Sequence, residues 1–182
     1  MKTIIVTVCF FSCLIIKSQS LPYAWAGSFK AACYEPQLIT DPQGNTYITG
    51  TFQSTIDLDP GPGTYTFSPL NGLDVFICKL NSAGQFVWGK RLTCPSGVQP
   101  AAITLDNQSN ILITGWFQYI MDFDPGPAVF TLTASFSKDI FVLKLDSSGT
   151  FVWARNMGGN GDDEGTVIAS DNNGNVYTTG VF

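Results

Sequence analysis

The chain repeats itself every 65 residues, and no other feature restricts its fold so tightly. Thr49-Gly50-Thr51-Phe52 returns as Thr114-Gly115-Trp116-Phe117 and again as Thr179-Gly180-Val181-Phe182. Asp57-Leu58-Asp59-Pro60-Gly61-Pro62 returns one period later as Asp122-Phe123-Asp124-Pro125-Gly126-Pro127. The stretch DVFICKLNSAGQFVWGK (Asp74 to Lys90) returns as DIFVLKLDSSGTFVWAR (Asp139 to Arg155), with nine of seventeen positions identical. A constant period without insertions means a repeat architecture, in which each unit buries its apolar faces against its neighbours.

Each period reads as four strands. Ile103 to Asp106 is short and apolar (strand A), and Asn110 to Phe117 alternates (strand B). Asp139 to Leu145 sets Ile140, Val142 and Lys144 against Phe141, Leu143 and Leu145 (strand C), and Thr150 to Asn156 carries Phe151, Val152 and Trp153 (strand D). Turn chemistry joins them: Gln43-Gly44-Asn45 and Asn173-Gly174-Asn175 between A and B, Ala83-Gly84 and Ser148-Gly149 between C and D. Between B and C lies a longer excursion, Asp122 to Lys138, whose Asp-Pro-Gly-Pro centre marks the tip of an extra hairpin. No stretch has a helical period. The fold class expected is all-β: a β-propeller of four-stranded antiparallel blades, each apolar on both faces because each is sandwiched between neighbours.

Asp41 to Gly50 and Asp171 to Gly180 share the run D-x-x-G-N-x-Y-x-T-G. Asp74 to Gly84 and Asp139 to Gly149 share D-[VI]-F-[IV]-x-K-L-[ND]-S-x-G. Together with Gly158-Gly159-Asn160-Gly161-Asp162-Asp163-Glu164-Gly165, these resemble the SBBP-type bacterial β-propeller repeat over essentially all of Ala24 to Phe182. The second repeat departs from that pattern: Ser109 stands for the turn glycine, and Thr93 to Pro100 for the GG-x-G-D-D linker. The resemblance implies a secreted or surface propeller, often part of a larger protein, and implies neither a catalytic residue nor a ligand.

Met1 and Lys2 precede an uncharged run from Ile4 to Ile16, and Ser18 and Ser20 stand at −3 and −1 of a cut before Leu21. This is the layout of a secretory signal peptide over 1–20; the run is too short to cross a bilayer, which needs about 20 residues. The remainder, 21–182, divides into a lone last strand over 22–29, full repeats over about 37–91 and 101–156, and a partial repeat over 166–182. A leading strand D and a trailing A–B pair are expected of the N-terminal part of a longer chain, whose remaining blades close the ring. Closure by other copies of the chain is the competing explanation.

Composition narrows the function classes. There is no histidine, which excludes Ser-His-Asp and Cys-His catalysis and histidine-ligated zinc within these residues. The net charge of −5 argues against a nucleic-acid-binding surface. Beyond the leader three cysteines remain. Cys78 aligns with Leu143 and reads as a buried hydrophobe; Cys33 and Cys94 fall in similar loops between repeats, which leaves their pairing open.

Asp57, Asp59, Asp122 and Asp124 carry calcium-type oxygens, but Asp beside Pro and Gly more readily forms turns. The denser cluster Asp162, Asp163 and Glu164 is the candidate metal site, with calcium as its cation and no other cofactor expected. Trp25, Trp88 and Trp153 recur and read as packing. Trp116 does not recur, its counterparts being Thr51 and Val181, and it is the candidate ligand-binding platform for a sugar. The expectation is a non-enzymatic secreted or cell-surface scaffold for binding or adhesion, with a protein or glycan partner. The alternative is a carbohydrate-active propeller enzyme whose catalytic residues lie mostly beyond residue 182.

Overall fold

In the computed structural model the described residues are 3–9, 12–18, 25–70 and 72–182. The expected cleavage position and the start of the lone strand D lie outside them. Among the described residues there is no helix, and none therefore long and apolar enough to cross a membrane.

The strands follow the 65-residue period. β1 (Thr3–Cys9), β2 (Ser12–Ser18) and β3 (Ala26–Phe29) form one antiparallel sheet. The first full unit holds β4 (Cys33–Thr40), β5 (Thr46–Phe52), β8 (Asp74–Leu80) and β9 (Phe86–Thr93) in that order, with β6 (Ile56–Asp57) and β7 (Thr66–Phe67) as a separate small hairpin. The second unit holds β10 (Val98–Leu105), β11 (Ile111–Asp122), β12 (Thr131–Leu145) and β13 (Phe151–Met157), again in chain order. β14 (Glu164–Ser170) and β15 (Val176–Val181) repeat the first two strands.

The extra hairpin differs between units. In the first it detaches as β6 and β7. In the second, β11 and β12 run past the expected ends at Phe117 and Asp139 and carry the hairpin as their own extension. A register shift between Gln118 and Ile120, with Tyr119 at φ +59°, bends the ladder there. In both units the hairpin folds back over strand D of its own sheet. Tyr65 stacks on Phe86 with centroids 4.5 Å apart, and Phe130 on Phe151 at 4.8 Å.

Central strands are buried on both faces. In β8, Val75 and Ile77 face one cluster and Phe76, Cys78 and Leu80 the other, the period-2 alternation of a strand between two layers. One cluster lies against β3 and the β6–β7 hairpin. The next joins the first sheet (Tyr47, Val75, Ile77, Leu92) to the second (Ile111, Ile113, Phe141, Leu143, Leu145). A third, smaller cluster joins the second sheet (Leu112, Val142, Trp153) to the β14–β15 pair (Ile168, Val176). Each buried Phe or Ile contributes roughly 1.5–3 kcal/mol. Stability is therefore concentrated between sheets, as stacked repeats require.

The recurring Thr-Gly has a steric cause that sequence did not reveal. Strand A bulges opposite it in all three units, at Tyr34/Gln37, Pro100/Ala102 and Gly165/Val167. The bulge presses a carbonyl onto the glycine: a Cβ on Gly115 would sit 1.9 Å from the Gln99 carbonyl oxygen, and one on Gly180 2.1 Å from that of Glu164. The preceding threonine donates its hydroxyl across the sheet, Thr49 to the Phe76 carbonyl at 3.0 Å and Thr114 to that of Phe141 at 2.8 Å.

The question left open by the cysteines has an answer. No disulfide joins Cys33 to Cys94. Cys33 packs in the cluster on one face of the first sheet and Cys94 in the cluster on the other, so the sheet separates them. The Cys94 thiol instead donates to the Gly97 carbonyl at 3.2 Å. β3, the described part of the lone strand D, pairs with β2.

Candidate functional site

The aspartates that recur serve the backbone. At Asp41, Asp106 and Asp171 one carboxylate oxygen accepts the amide N–H of the residue four positions on, and the other accepts that residue's side-chain amide. Tyr47 and Tyr177 add their hydroxyls to Asp41 and Asp171 at 3.3 and 3.1 Å. The second unit has Leu112 at that position, and Lys144 Nζ takes the hydroxyl's place 2.8 Å from Asp106. Burial alone pushes the Asp106 carboxyl up, but Lys144, Asn110 and Gln108 outweigh it and hold the group at about 2.

The Asp-Pro-Gly-Pro tips follow the same logic. Asp57 Oδ1 accepts from the amides of Asp59 and Tyr65, and Asp122 Oδ1 from those of Asp124 and Phe130. Asp59 and Asp124 accept from Gly61 and Gly126 at 2.8 and 2.7 Å. These are Asx turns, each with an oxygen already engaged.

Of the residues singled out for ligand and metal binding, the structure brings Trp116, Asp162 and Glu164 to one lysine and turns Asp163 away. β11 carries Trp116, half-buried beside Gly97. β12 carries Lys138, whose Nζ stands over the Trp116 ring 4.5 Å from its centroid. The linker before β14 then crosses Lys138: the Asp163 amide donates to the Lys138 carbonyl at 3.0 Å, and Lys138 and Asp162 form a parallel bridge. Lys138 Nζ lies 2.5 Å from Glu164 Oε1 and 3.7 Å from Asp162 Oδ2. The hydrogen bond from Lys138 to Glu164 raises the lysine's pKa above its ordinary value against a smaller opposing effect of burial. Asp163 points elsewhere; buried, it accepts the Gly159 amide at 2.6 Å.

The three acidic residues therefore do not converge. Asp162 and Glu164 face an ammonium group, and Asp163 faces backbone. Among the described residues no group of three His, Cys, Asp or Glu side chains is placed to hold a metal ion. One face of the Trp116 ring is covered by Lys138. Lys138 was not legible as part of this cluster, because its partners are 22 to 26 residues away and meet it only through a cation–π contact and a linker bridge. The arrangement is a clamp: it ties the linker between units to the base of the second unit's hairpin.

Asp139, at the start of strand C, is fully buried beside this clamp and accepts from the Ser135 amide at 3.1 Å and from Asn156 Nδ2 at 2.8 Å. Its counterpart Asp74 accepts from the Leu70 amide at 3.1 Å and has Arg91 Nε 3.8 Å away, while its other oxygen has no hydrogen-bond partner among the described residues. Burial raises the Asp74 carboxyl's pKa despite these contacts.

The recurring tryptophans act between units. A Cβ on Gly84 would lie 2.4 Å from the Trp25 ring, and one on Gly149 3.2 Å from the Trp88 ring. Trp25 and Trp88 thus each cover the C–D turn glycine of the following unit. Gly84 and Gly149 have φ near +80°, so the turn needs glycine for its backbone as well as for the close approach. A groove of about 420 Å³ opens between Trp25, the Asp59–Gly63 tip and the Ala83–Phe86 turn.

No protein-family model matches the chain. It is 28% identical over 151 residues to an uncharacterized WD repeat-containing protein of Acanthamoeba polyphaga mimivirus, a match covering 78% of this chain and 11% of that protein. It is 22% identical over 143 residues to the regulatory protein FlaEY of Caulobacter vibrioides, covering 78% of this chain and 15% of that protein. The chain thus spans about a tenth to a seventh of these relatives' length. The likeness to a WD repeat protein agrees with the 65-residue recurrence and the stacked antiparallel sheets: this is an all-β repeat protein.

Proposed function

We propose that the chain is part of a propeller-type scaffold of the SBBP kind, acting outside the cell or on its surface, that binds other macromolecules through its hairpins and carries out no catalysis itself. The observation that carries this is the exposed apolar surface of the second unit's B–C hairpin. Tyr119, Ile120, Val129 and Phe136 are all at least half exposed, on an extension held rigidly by β11 and β12. Large apolar side chains concentrated on one protruding element mark an interaction surface. The recurring carboxylates favour scaffold over enzyme, because they hold turns. The apolar run from Ile4 to Ile16 supports export.

A glycan array probed with the intact protein tests the reading. Binding without turnover that weakens in a Phe136→Ser, Tyr119→Ser variant supports it. Hydrolysis of a glycan that one Asp substitution abolishes overturns it in favour of the carbohydrate-active alternative. Residues 1–24 fused to a reporter test export: reporter retained inside the cell removes the extracellular assignment.

A further inference from the structure

We propose that Asn160-Gly161, at the tip of the linker between the second unit and β14, is a modification site: it deamidates spontaneously, and its isoaspartyl product loosens the Lys138 clamp.

The sequence holds three Asn-Gly pairs, Asn71-Gly72, Asn160-Gly161 and Asn173-Gly174. The pair matters because deamidation begins when the following main-chain nitrogen attacks the asparagine side-chain carbonyl, and glycine has no Cβ to obstruct that approach. Asn71 lies outside the described residues. The other two pairs are exposed alike, but their backbones differ. Gly174 donates its amide N–H to the Asp171 carbonyl at 3.1 Å and is held at φ +83°. Asp171 Oδ1 also accepts the amides of Asn173 and Asn175 at 2.9 Å each. The nitrogen that would attack is therefore engaged, and the turn must open before it can react.

Asn160-Gly161 is the opposite case. Among the described residues neither the Asn160 carboxamide nor the Gly161 amide makes a hydrogen bond. A Cβ on Gly159 or on Gly161 would meet nothing within 4 Å. Only the ends of the segment are tied: Gly159 donates its amide to Asp163 Oδ2 at 2.6 Å, and Asp163 donates its own to the Lys138 carbonyl at 3.0 Å. The result is a short loop with Asn160-Gly161 at its unbonded tip.

The reaction needs only water. The Gly161 amide nitrogen gives its proton to hydroxide and forms a bond to Asn160 Cγ. The Cγ–Nδ2 bond breaks, and Nδ2 takes a proton from water and leaves as ammonia. Water then adds to one of the two carbonyls of the cyclic imide, whose nitrogen takes the proton as the C–N bond breaks. Breaking at Cγ gives aspartate, and breaking at the main-chain carbonyl gives isoaspartate. The isoaspartyl form carries the main chain through Cβ, which adds one carbon, about 1.5 Å of chain, to the loop. Asp162 Oδ2 stands 3.7 Å from Lys138 Nζ, close to the roughly 4 Å limit of an ion pair. The added carbon is enough to take Asp162 off the lysine.

The test incubates the intact protein at mildly alkaline pH in water enriched in heavy oxygen. Peptide mapping by mass spectrometry locates the label, and electron-transfer fragmentation tells isoaspartate from aspartate. Label should enter residue 160 at least about tenfold faster than residue 173, which reacts only through the opened turn. Gly161→Ala, whose added methyl meets nothing in the fold, should slow entry at 160 by at least about tenfold, because the attack depends on close alignment. The isoaspartyl protein, separated from the unconverted form by charge, should be cut faster by protease within 158–163. Asn160→Asp, which has the charge without the extra carbon, should be cut as the unconverted protein is. No label at 160, label at 173 as fast as at 160, or equal entry in Gly161→Ala overturns the site. Unchanged proteolysis of the isoaspartyl form, or an equal gain in Asn160→Asp, overturns the release of the clamp.

Discussion

Asn in place of Asp106 keeps the shape of the A–B turn and removes its charge. The wild-type carboxylate accepts four hydrogen bonds, from the amides of Gln108 and Asn110 at 2.9 Å each, from Asn110 Nδ2 at 2.9 Å and from Lys144 Nζ at 2.8 Å. It is 8% exposed, so solvent screens little of this. The folded pKa of about 2 lies below the ordinary 3.8. At about 1.4 kcal/mol per unit, the ionised group contributes roughly 2 kcal/mol at neutral pH. Because the folded value is lowered, that contribution is present above the unfolded value and lost as pH falls from about 4 through about 2.

Urea unfolding followed by tryptophan fluorescence, at neutral pH and near pH 2, measures it. The expected gap between wild type and Asp106→Asn is about 2 kcal/mol at neutral pH and under about 0.5 kcal/mol near pH 2. A Lys144→Met variant should show the same narrowing. An equal gap at both pH values would refute the reasoning, because the loss would then come from turn geometry and not from the charge. Asp171→Asn, in the same turn but less buried than Asp106 and, among the described residues, without a lysine partner, should show a smaller pH-dependent loss.

Other perturbations test the packing. Gly115→Ala forces a Cβ onto the Gln99 carbonyl, which the sheet cannot move without breaking the bulge; the loss should exceed about 3 kcal/mol, seen as a much lower midpoint or as no soluble protein. Gly149→Ala meets Lys90 and Trp88 and strains a backbone at φ +80°, so thermal unfolding should show a loss of about 1–2 kcal/mol. Ser109 holds φ +60° where its counterparts Gly44 and Gly174 hold +83°, and Ser109→Gly should stabilise by up to about 1 kcal/mol in the same assay. Lys138→Met leaves Asp162 and Glu164 facing each other across the clamp; it should cost about 1 kcal/mol at low salt, less at high salt, and speed proteolysis in the 158–163 linker.

Much of the architecture was legible because the repeat is legible. Strands B and D of the second unit start one residue from their expected positions and strand C of the first starts at Asp74 as expected, since period-2 alternation and Asp/Asn-Gly turns are local signals; strand C of the second unit starts at Thr131, eight residues before Asp139. Strand A was underestimated: β10 begins at Val98, in a stretch whose proline and bulge hide the alternation. The hairpin was visible from Asp-Pro-Gly-Pro, but its fusion with β11 and β12 in only one unit was not.

The candidate site divides in the same way. Asp57, Asp59, Asp122 and Asp124 read as turn formers because Asx turns close within a few residues. Trp116 and the acidic linker were noticed separately, yet their connection through Lys138 depends on a register across two strands and a bridge to a third segment.

By itself the sequence determined the period, the strand content and the turns, because those follow from interactions within about ten residues or from exact recurrence. Only the tertiary structure decided which face each cysteine lies on, why the Thr-Gly glycine admits no side chain, and which residues one period apart touch. It also decided that Lys138 is the cation its carboxylates face. These are contacts between sheets and between units, set by stacking geometry, and residues far apart in the chain carry no local mark of them.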